Sequence, residues 1–167
     1  MVATGVGMLA LGTVLPASAG STATVTITGG GLSITAPTGT TSLGTRSNSV
    51  GGGTISGPLG SVQVEDARSA PAGSSWTASV ICSAFTPDSG AVIAASAVSY
   101  AAGPITKVGT ATYTANDPSG LAGASAVVTA TGITGDNSAT WNPTISVAVP
   151  GGMAAGTYTA TITHSVA

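Results

Sequence analysis

Thr157-Tyr158-Thr159-Ala160-Thr161-Ile162-Thr163-His164-Ser165-Val166 alternates without a break. Every odd position is Thr or Ser, and the even positions carry Tyr158, Ala160, Ile162, His164 and Val166. Side chains of a strand point alternately to its two faces, so a period of two reads as a half-buried strand with a hydroxyl-bearing outer face. Thr suits that face because its β-branched side chain sits well on a pleated surface. The same chemistry recurs upstream. Trp76-Thr77-Ala78-Ser79-Val80-Ile81-Cys82 places Trp76, Ala78, Val80 and Cys82 on one face. Thr24-Val25-Thr26-Ile27-Thr28, then Gly29-Gly30-Gly31, then Leu32-Ser33-Ile34-Thr35 reads as a hairpin with a glycine turn.

Further strands are expected at Gly60–Asp66, Thr106–Thr114, Ala126–Thr131 and Ile145–Val149, with shorter candidates around Leu43, Val50, Ile55, Val92-Ile93 and Val98–Tyr100. Loops are expected at Arg68–Ser75, where Pro71 and Gly73 act as breakers, at Asn116–Gly120 and at Gly132–Ala139. No stretch carries a 3.6-residue period. Gly90–Ala102 is Ala-rich, but its Val and Ser content favours strand or loop. Roughly eight to ten short strands with turn signals between them predict an all-β fold, an antiparallel β-sandwich of the Ig-like or Greek-key type.

Composition narrows the function classes. The chain has 167 residues, of which 43% are hydrophobic and 5% charged, with three Lys+Arg against five Asp+Glu. An ordinary soluble domain carries about 25% charged residues. Three basic residues cannot build a phosphate-tracking surface, which argues against nucleic acid as a partner. There is no Lys/Arg-rich amphipathic helix for an anionic membrane. Mean hydropathy is positive at +0.48, unlike a charged disordered tail.

The first residues read as a targeting segment. Val6–Leu15 is an apolar run, Pro16 breaks it, and Ala17-Ser18-Ala19 resembles a cleavage site. The run is far short of the ~20 residues a membrane span needs. Residues 1–19 are therefore expected to be a signal peptide, its basic n-region missing, and 20–167 a single exported domain without a membrane span. Cys82 stands alone, so no internal disulfide is expected.

Residues able to carry chemistry are few. His164 is the only histidine, and its parity places it on the inward face of the last strand beside Tyr158 and Ile162. No G-x-S-x-G elbow accompanies it. Glu65 and Asp66 point to opposite faces of a strand and cannot act as one acid/base pair. Asp66 reads as a strand end and a solvated charge, with Arg68 as a surface partner for either acid. Asp117 and Asp136 lie in Asn/Asp/Gly stretches without the D-x-D-x-D-G run of a calcium loop, and read as turn residues. Gly51-Gly52-Gly53 lacks the Lys-Ser/Thr of a phosphate loop. The Cys82 thiol shares parity with Val80 and reads as buried and inert. No enzyme, cofactor or metal is expected from this set. Trp76 reads as core. Trp141, in Ser138-Ala139-Thr140-Trp141-Asn142-Pro143, reads equally as core or as a rim ring for stacking on sugar.

Several segments, in order, resemble WxL-domain surface proteins of Gram-positive bacteria. They are Gly29-Gly30-Gly31-Leu32-Ser33-Ile34, then Leu59-Gly60-Ser61-Val62-Gln63-Val64-Glu65-Asp66 against "L-G-x-V-x-V-x-D", then Gly73–Val80 against "G-W-x-L-x-V", and finally Val149–Thr163 against "V-P-x-G-x-x-A-G-T-Y-x-A-x-I-T". Within Gly73–Val80, Trp76, Thr77 and Ala78 occupy the W-x-L positions, with Ala in place of Leu. The second W-x-L of the family is replaced by Thr163-His164-Ser165. The resemblance implies a secreted protein held non-covalently at the cell wall through peptidoglycan or another wall glycan. Trp141, Asn142 and Tyr113 are the candidate glycan contacts. The alternative is a structural subunit of a surface fibre, in which the strand Thr22–Thr28 is donated to a neighbour.

Overall fold

The computed structural model describes residues 24–88 and 90–167, so the expected signal peptide at 1–19 lies outside the described residues. Eight strands follow in chain order: β1 (Leu32–Thr35), β2 (Gly53–Pro58), β3 (Val62–Cys82), β4 (Val98–Ala101), β5 (Thr106–Ala115), β6 (Ser125–Trp141), β7 (Thr144–Val149) and β8 (Ile162–Val166). The Ala-rich stretch contributes only a short 3₁₀ turn, Ala95–Ala97. The architecture is the all-β antiparallel sandwich expected from the alternation. One sheet has the order β1-β3-β6-β5, with β8 also on β3, and the other has the order β2-β7-β4. Only β5 and β6 are both consecutive in sequence and paired, so the chain crosses repeatedly between sheets.

β1 and β8 share one side of β3. β1 pairs with its first part, Leu32 opposite Asp66, and β8 with its last part, Val166 opposite Ala78. The inner faces close on Val62, Val64, Trp76, Ala78 and Val80 of β3, Val128, Ala130 and Ile133 of β6, and Ile145 and Val147 of β7. The final alternating stretch behaves as its parity demands: residues 158, 160, 162, 164 and 166 are half-buried and the odd positions exposed. Only Ile162–Val166 forms a continuous strand, with Thr159 making an isolated bridge to Thr86.

Three expectations are corrected. Thr24–Thr28 forms no strand and no hairpin with Leu32–Thr35. The glycines run on beside β3 instead of turning, with the Gly30 N–H donating to the Ala67 carbonyl and the Ala67 N–H to the Gly31 carbonyl. Gly30 makes this approach possible, since a Cβ there would lie 2.7 Å from that of Ala67. Second, Arg68–Ser75 is not a loop but the middle of β3, and third, Gly132–Ala139 belongs to β6. Register shifts between Asp66 and Trp76 absorb Pro71 and the left-handed residues Ser69 (φ 52°) and Gly73 (φ 88°). The Asp136 carboxylate helps by accepting the Ser69 N–H at 2.8 Å.

Candidate functional site

The three residues expected to contact glycan do not form one surface. Trp141 is 2% exposed, so its ring is core and not a rim platform. Its position at the end of β6, opposite Val62, turns it inward, and its Nε1–H donates to the Tyr100 hydroxyl at 2.7 Å. Tyr113 is half-buried, with its ring tilted against Trp76 at 5.8 Å and the Lys107 ammonium 5.9 Å from its centroid. Asn142 is exposed, and its Oδ1 accepts the Gly60 N–H at 3.1 Å. Tyr113 stands opposite Ala130, whereas Trp141 follows Thr140, which stands opposite Thr106 at the other end of β5. The pairing thus separates them along the sheet.

Asp66 is the second correction of chemical weight. It is fully buried, not a solvated strand end. Its inward parity on β3 carries the carboxylate into the sandwich, where the Arg68 guanidinium grips it twice, Nε to Oδ1 at 2.8 Å and Nη2 to Oδ2 at 3.0 Å. Asn137 on β6 donates to Oδ2 at 3.0 Å. The Asn137 Oδ1 in turn accepts from Trp76 Nε1 at 3.0 Å and from the Tyr113 hydroxyl at 3.2 Å. The Arg68 hydrogen bonds, with Asn137 in support, outweigh burial and hold the Asp66 carboxyl below its ordinary pKa. Burial, with the Asp66 charge nearby, raises the Tyr113 phenol. The knot therefore ties the aspartate of one strand motif to the tryptophan of the next, with Asn137 as the link. Trp76, Thr77 and Ala78 sit mid-β3. Trp76 and Ala78 are buried, and the Thr77 N–H donates to the Ala167 carbonyl at 2.8 Å. This arrangement organises a core.

A second polar chain crosses the sandwich elsewhere. The Tyr100 hydroxyl, which accepts from Trp141, also shares a hydrogen bond with His164 Nε2 at 3.2 Å. The other ring nitrogen, Nδ1, is buried and has no hydrogen-bond partner among the described residues. Burial lowers the His164 pKa, so the ring is neutral near pH 7, and burial raises the Tyr100 phenol. Among the described residues no serine or carboxylate is hydrogen-bonded to the ring. Cys82 is buried, and burial raises its thiol pKa. Among the described residues no group of three His, Cys, Asp or Glu side chains converges as a metal site would require.

A cleft of about 1070 Å³ opens between the sheets. Sheet β2-β7-β4 contributes Ile55, Val147 and Val149 to its floor, and the run from Met153 to His164 forms its opposite wall. Phe85 and Tyr158, both half-buried, supply its aromatic rings. The irregular stretch 36–49 lines it as a strap, packed close to β2: a Cβ on Gly57 would lie 2.6 Å from the Leu43 carbonyl oxygen. Ser and Thr hydroxyls dot its lining, among them Thr40, Thr41, Ser47, Thr157 and Thr161. Arg46 is the one charged residue in the lining, and its guanidinium is tied to the Gly52 carbonyl at 2.8 Å. Sequence reasoning missed this site because its walls come from distant segments. The available signal was the long Gly/Ser/Thr-rich stretch around 41–57, longer than a strand connection requires.

No family model matches the chain, and neither a curated protein nor a solved structure matches it. The fold defines a class: an antiparallel β-sandwich with a cleft lined, apart from Arg46, by uncharged residues. Among the described residues no helix is long and apolar enough to cross a membrane.

Proposed function

We propose that the chain is an exported, non-catalytic, cell-wall-associated protein that holds peptidoglycan or another neutral wall glycan in the cleft between its sheets. The observation that carries this reading is the chemistry of that cleft. Phe85 and Tyr158 stand beside Ser and Thr hydroxyls, and the only charge, Arg46, is already engaged. A sugar ring presents C–H faces that pack on aromatic rings and hydroxyls that exchange hydrogen bonds with uncharged partners. A cleft of about 1070 Å³ is on the scale of known ligand pockets. The resemblance of the strand motifs to WxL-domain proteins supports the same ligand class. The contacts move from the buried Trp141 and from Tyr113, whose hydroxyl is tied to Asn137 and Ser138, to Phe85 and Tyr158, which line the cleft.

The test is retention on purified cell wall. Phe85→Ala and Tyr158→Ala should each weaken binding about five- to tenfold, the ~1–1.4 kcal/mol that losing one aromatic contact removes. Both variants binding as the parent does, with unchanged circular dichroism, would remove the cleft as the glycan site.

A further inference from the structure

We propose that Thr24–Thr28 of one copy adds as a strand to the open edge of β5 in a second copy, so that the protein assembles head to tail through a continuous sheet. The donor is a strand by pattern without a strand partner among the described residues. Val25 is 84% exposed and Ile27 89% exposed. No backbone hydrogen bond joins Thr24–Thr28 to the rest of the described residues. An uncharged period-two segment with two bare aliphatic side chains is the form of sequence that an open sheet edge captures.

The acceptor is β5. It pairs with β6 on one side, and among the described residues no strand covers its other side. At ten residues it is the longest open edge in the molecule's described part. Edges of this kind are usually guarded by charge or bulges. Here the register shifts against β6 fall between Val108 and Thr112, which leaves Thr112–Ala115 regularly paired, and Lys107 and the left-handed Gly109 (φ 85°) sit at one end. Thr110-Ala111-Thr112-Tyr113-Thr114 beyond them carries no charge and repeats the donor's own pattern, Thr24-Val25-Thr26-Ile27-Thr28. The β5–β6 pairing already runs as a threonine ladder, Thr110 opposite Thr134, Thr112 opposite Thr131 and Thr114 opposite Thr129. A donated strand extends that ladder with Thr24, Thr26 and Thr28 and brings Val25 and Ile27 over the half-buried Ala111 and Tyr113.

Topology makes the contact intermolecular. Thr24–Thr28 leads into β1, at one edge of the sheet β1-β3-β6-β5, and the open side of β5 is the opposite edge. A donor at one edge and an acceptor at the other make a heterologous contact, which propagates in place of closing a dimer.

The experiment is sedimentation velocity of the purified protein over a hundredfold concentration range. The parent should form dimers and larger species that increase with concentration. Val25→Asp/Ile27→Asp, in an exposed segment with no packing to lose, should remain monomeric. Ala111→Lys, an inward-pointing lysine on the edge strand, should also remain monomeric. An equimolar mixture of the two variants retains one donor and one acceptor and should stop at a 1:1 dimer. A synthetic peptide of the sequence of residues 24–29 in excess should dissolve the parent's larger species, a readout that stands even if Ala111→Lys does not fold. A parent that is monomeric throughout, or a Val25→Asp/Ile27→Asp variant that assembles as the parent does, would overturn the proposal.

Discussion

Asn137→Ala removes the link of the buried knot, and its cost follows from the bonds it breaks. Trp76 Nε1 loses its sole acceptor inside the core, where an unpartnered donor costs about 1–3 kcal/mol. The Asp66 carboxylate loses one of its donors, about 1.5 kcal/mol for a bond to a charged group, at the low end because Arg68 still holds both oxygens. The Tyr113 hydroxyl keeps the Ser138 carbonyl at 3.3 Å and contributes little to the loss. The sum is about 2.5–4.5 kcal/mol. At roughly 2–4 °C per kcal/mol for a chain of this size, Tm should fall by about 5–18 °C. Urea unfolding followed by tryptophan fluorescence measures the free energy directly, and Tyr113→Phe is the control, expected to cost about 1 kcal/mol or less. An Asn137→Ala loss under about 1 kcal/mol, or a larger loss for Tyr113→Phe than for Asn137→Ala, would refute the assignment of Asn137 as the link.

Tyr100→Phe should cost about 2–4 kcal/mol in the same assay, because it strips the partner from both Trp141 Nε1 and His164 Nε2. Gly109→Ala should destabilise by about 2 kcal/mol or more, since a Cβ there meets the Asp136 carbonyl oxygen at 2.5 Å and the residue is left-handed. Stability should fall in two stages on acidification. The folded pKa of His164 is depressed, so the unfolded chain binds more protons as pH drops below about 6.5, and a first, shallow loss begins there. The folded pKa of Asp66 is also depressed, so its contribution is intact above the ordinary carboxylate value of about 4 and is lost as pH falls from there through the folded pKa. His164→Gln should erase the first stage and leave the second. Cys82 should resist a disulfide-exchange reagent in the native protein and react fully in denaturant, because its thiol is buried and its pKa raised.

The fold was legible where local pattern and tertiary demand agree. Residues 157–166 kept their parity, and Trp76 went to the core, because alternation alone decides which side chains face inward. Local rules failed where a distant partner decides. Asp66 beside a Pro/Gly-rich stretch reads as a strand end, but Asn137, 71 residues away, turns it into a buried ion-pair centre. Pro71 and Gly73 read as breakers, but the long β3–β6 pairing absorbs them as irregularities. Trp141, two residues before a proline, reads equally as core or rim, and the Tyr100 hydroxyl that accepts its indole N–H decides for the interior. Thr24–Thr28 shows the converse: the pattern is right for a strand, and its own sheet supplies no neighbour. The cleft was illegible because the strap, β7 and the segment before β8 meet only after folding.

The central claim, binding of a neutral wall glycan through uncharged contacts, is tested most directly by cosedimentation. The purified protein is mixed with insoluble Gram-positive peptidoglycan at low and high salt, and the pellet is analysed. The account predicts that the protein pellets to a similar extent at both salt concentrations, since Arg46 is the one charged residue in the cleft lining and screening has little to weaken. Protein that stays in the supernatant at both, or that is released by salt, would contradict it.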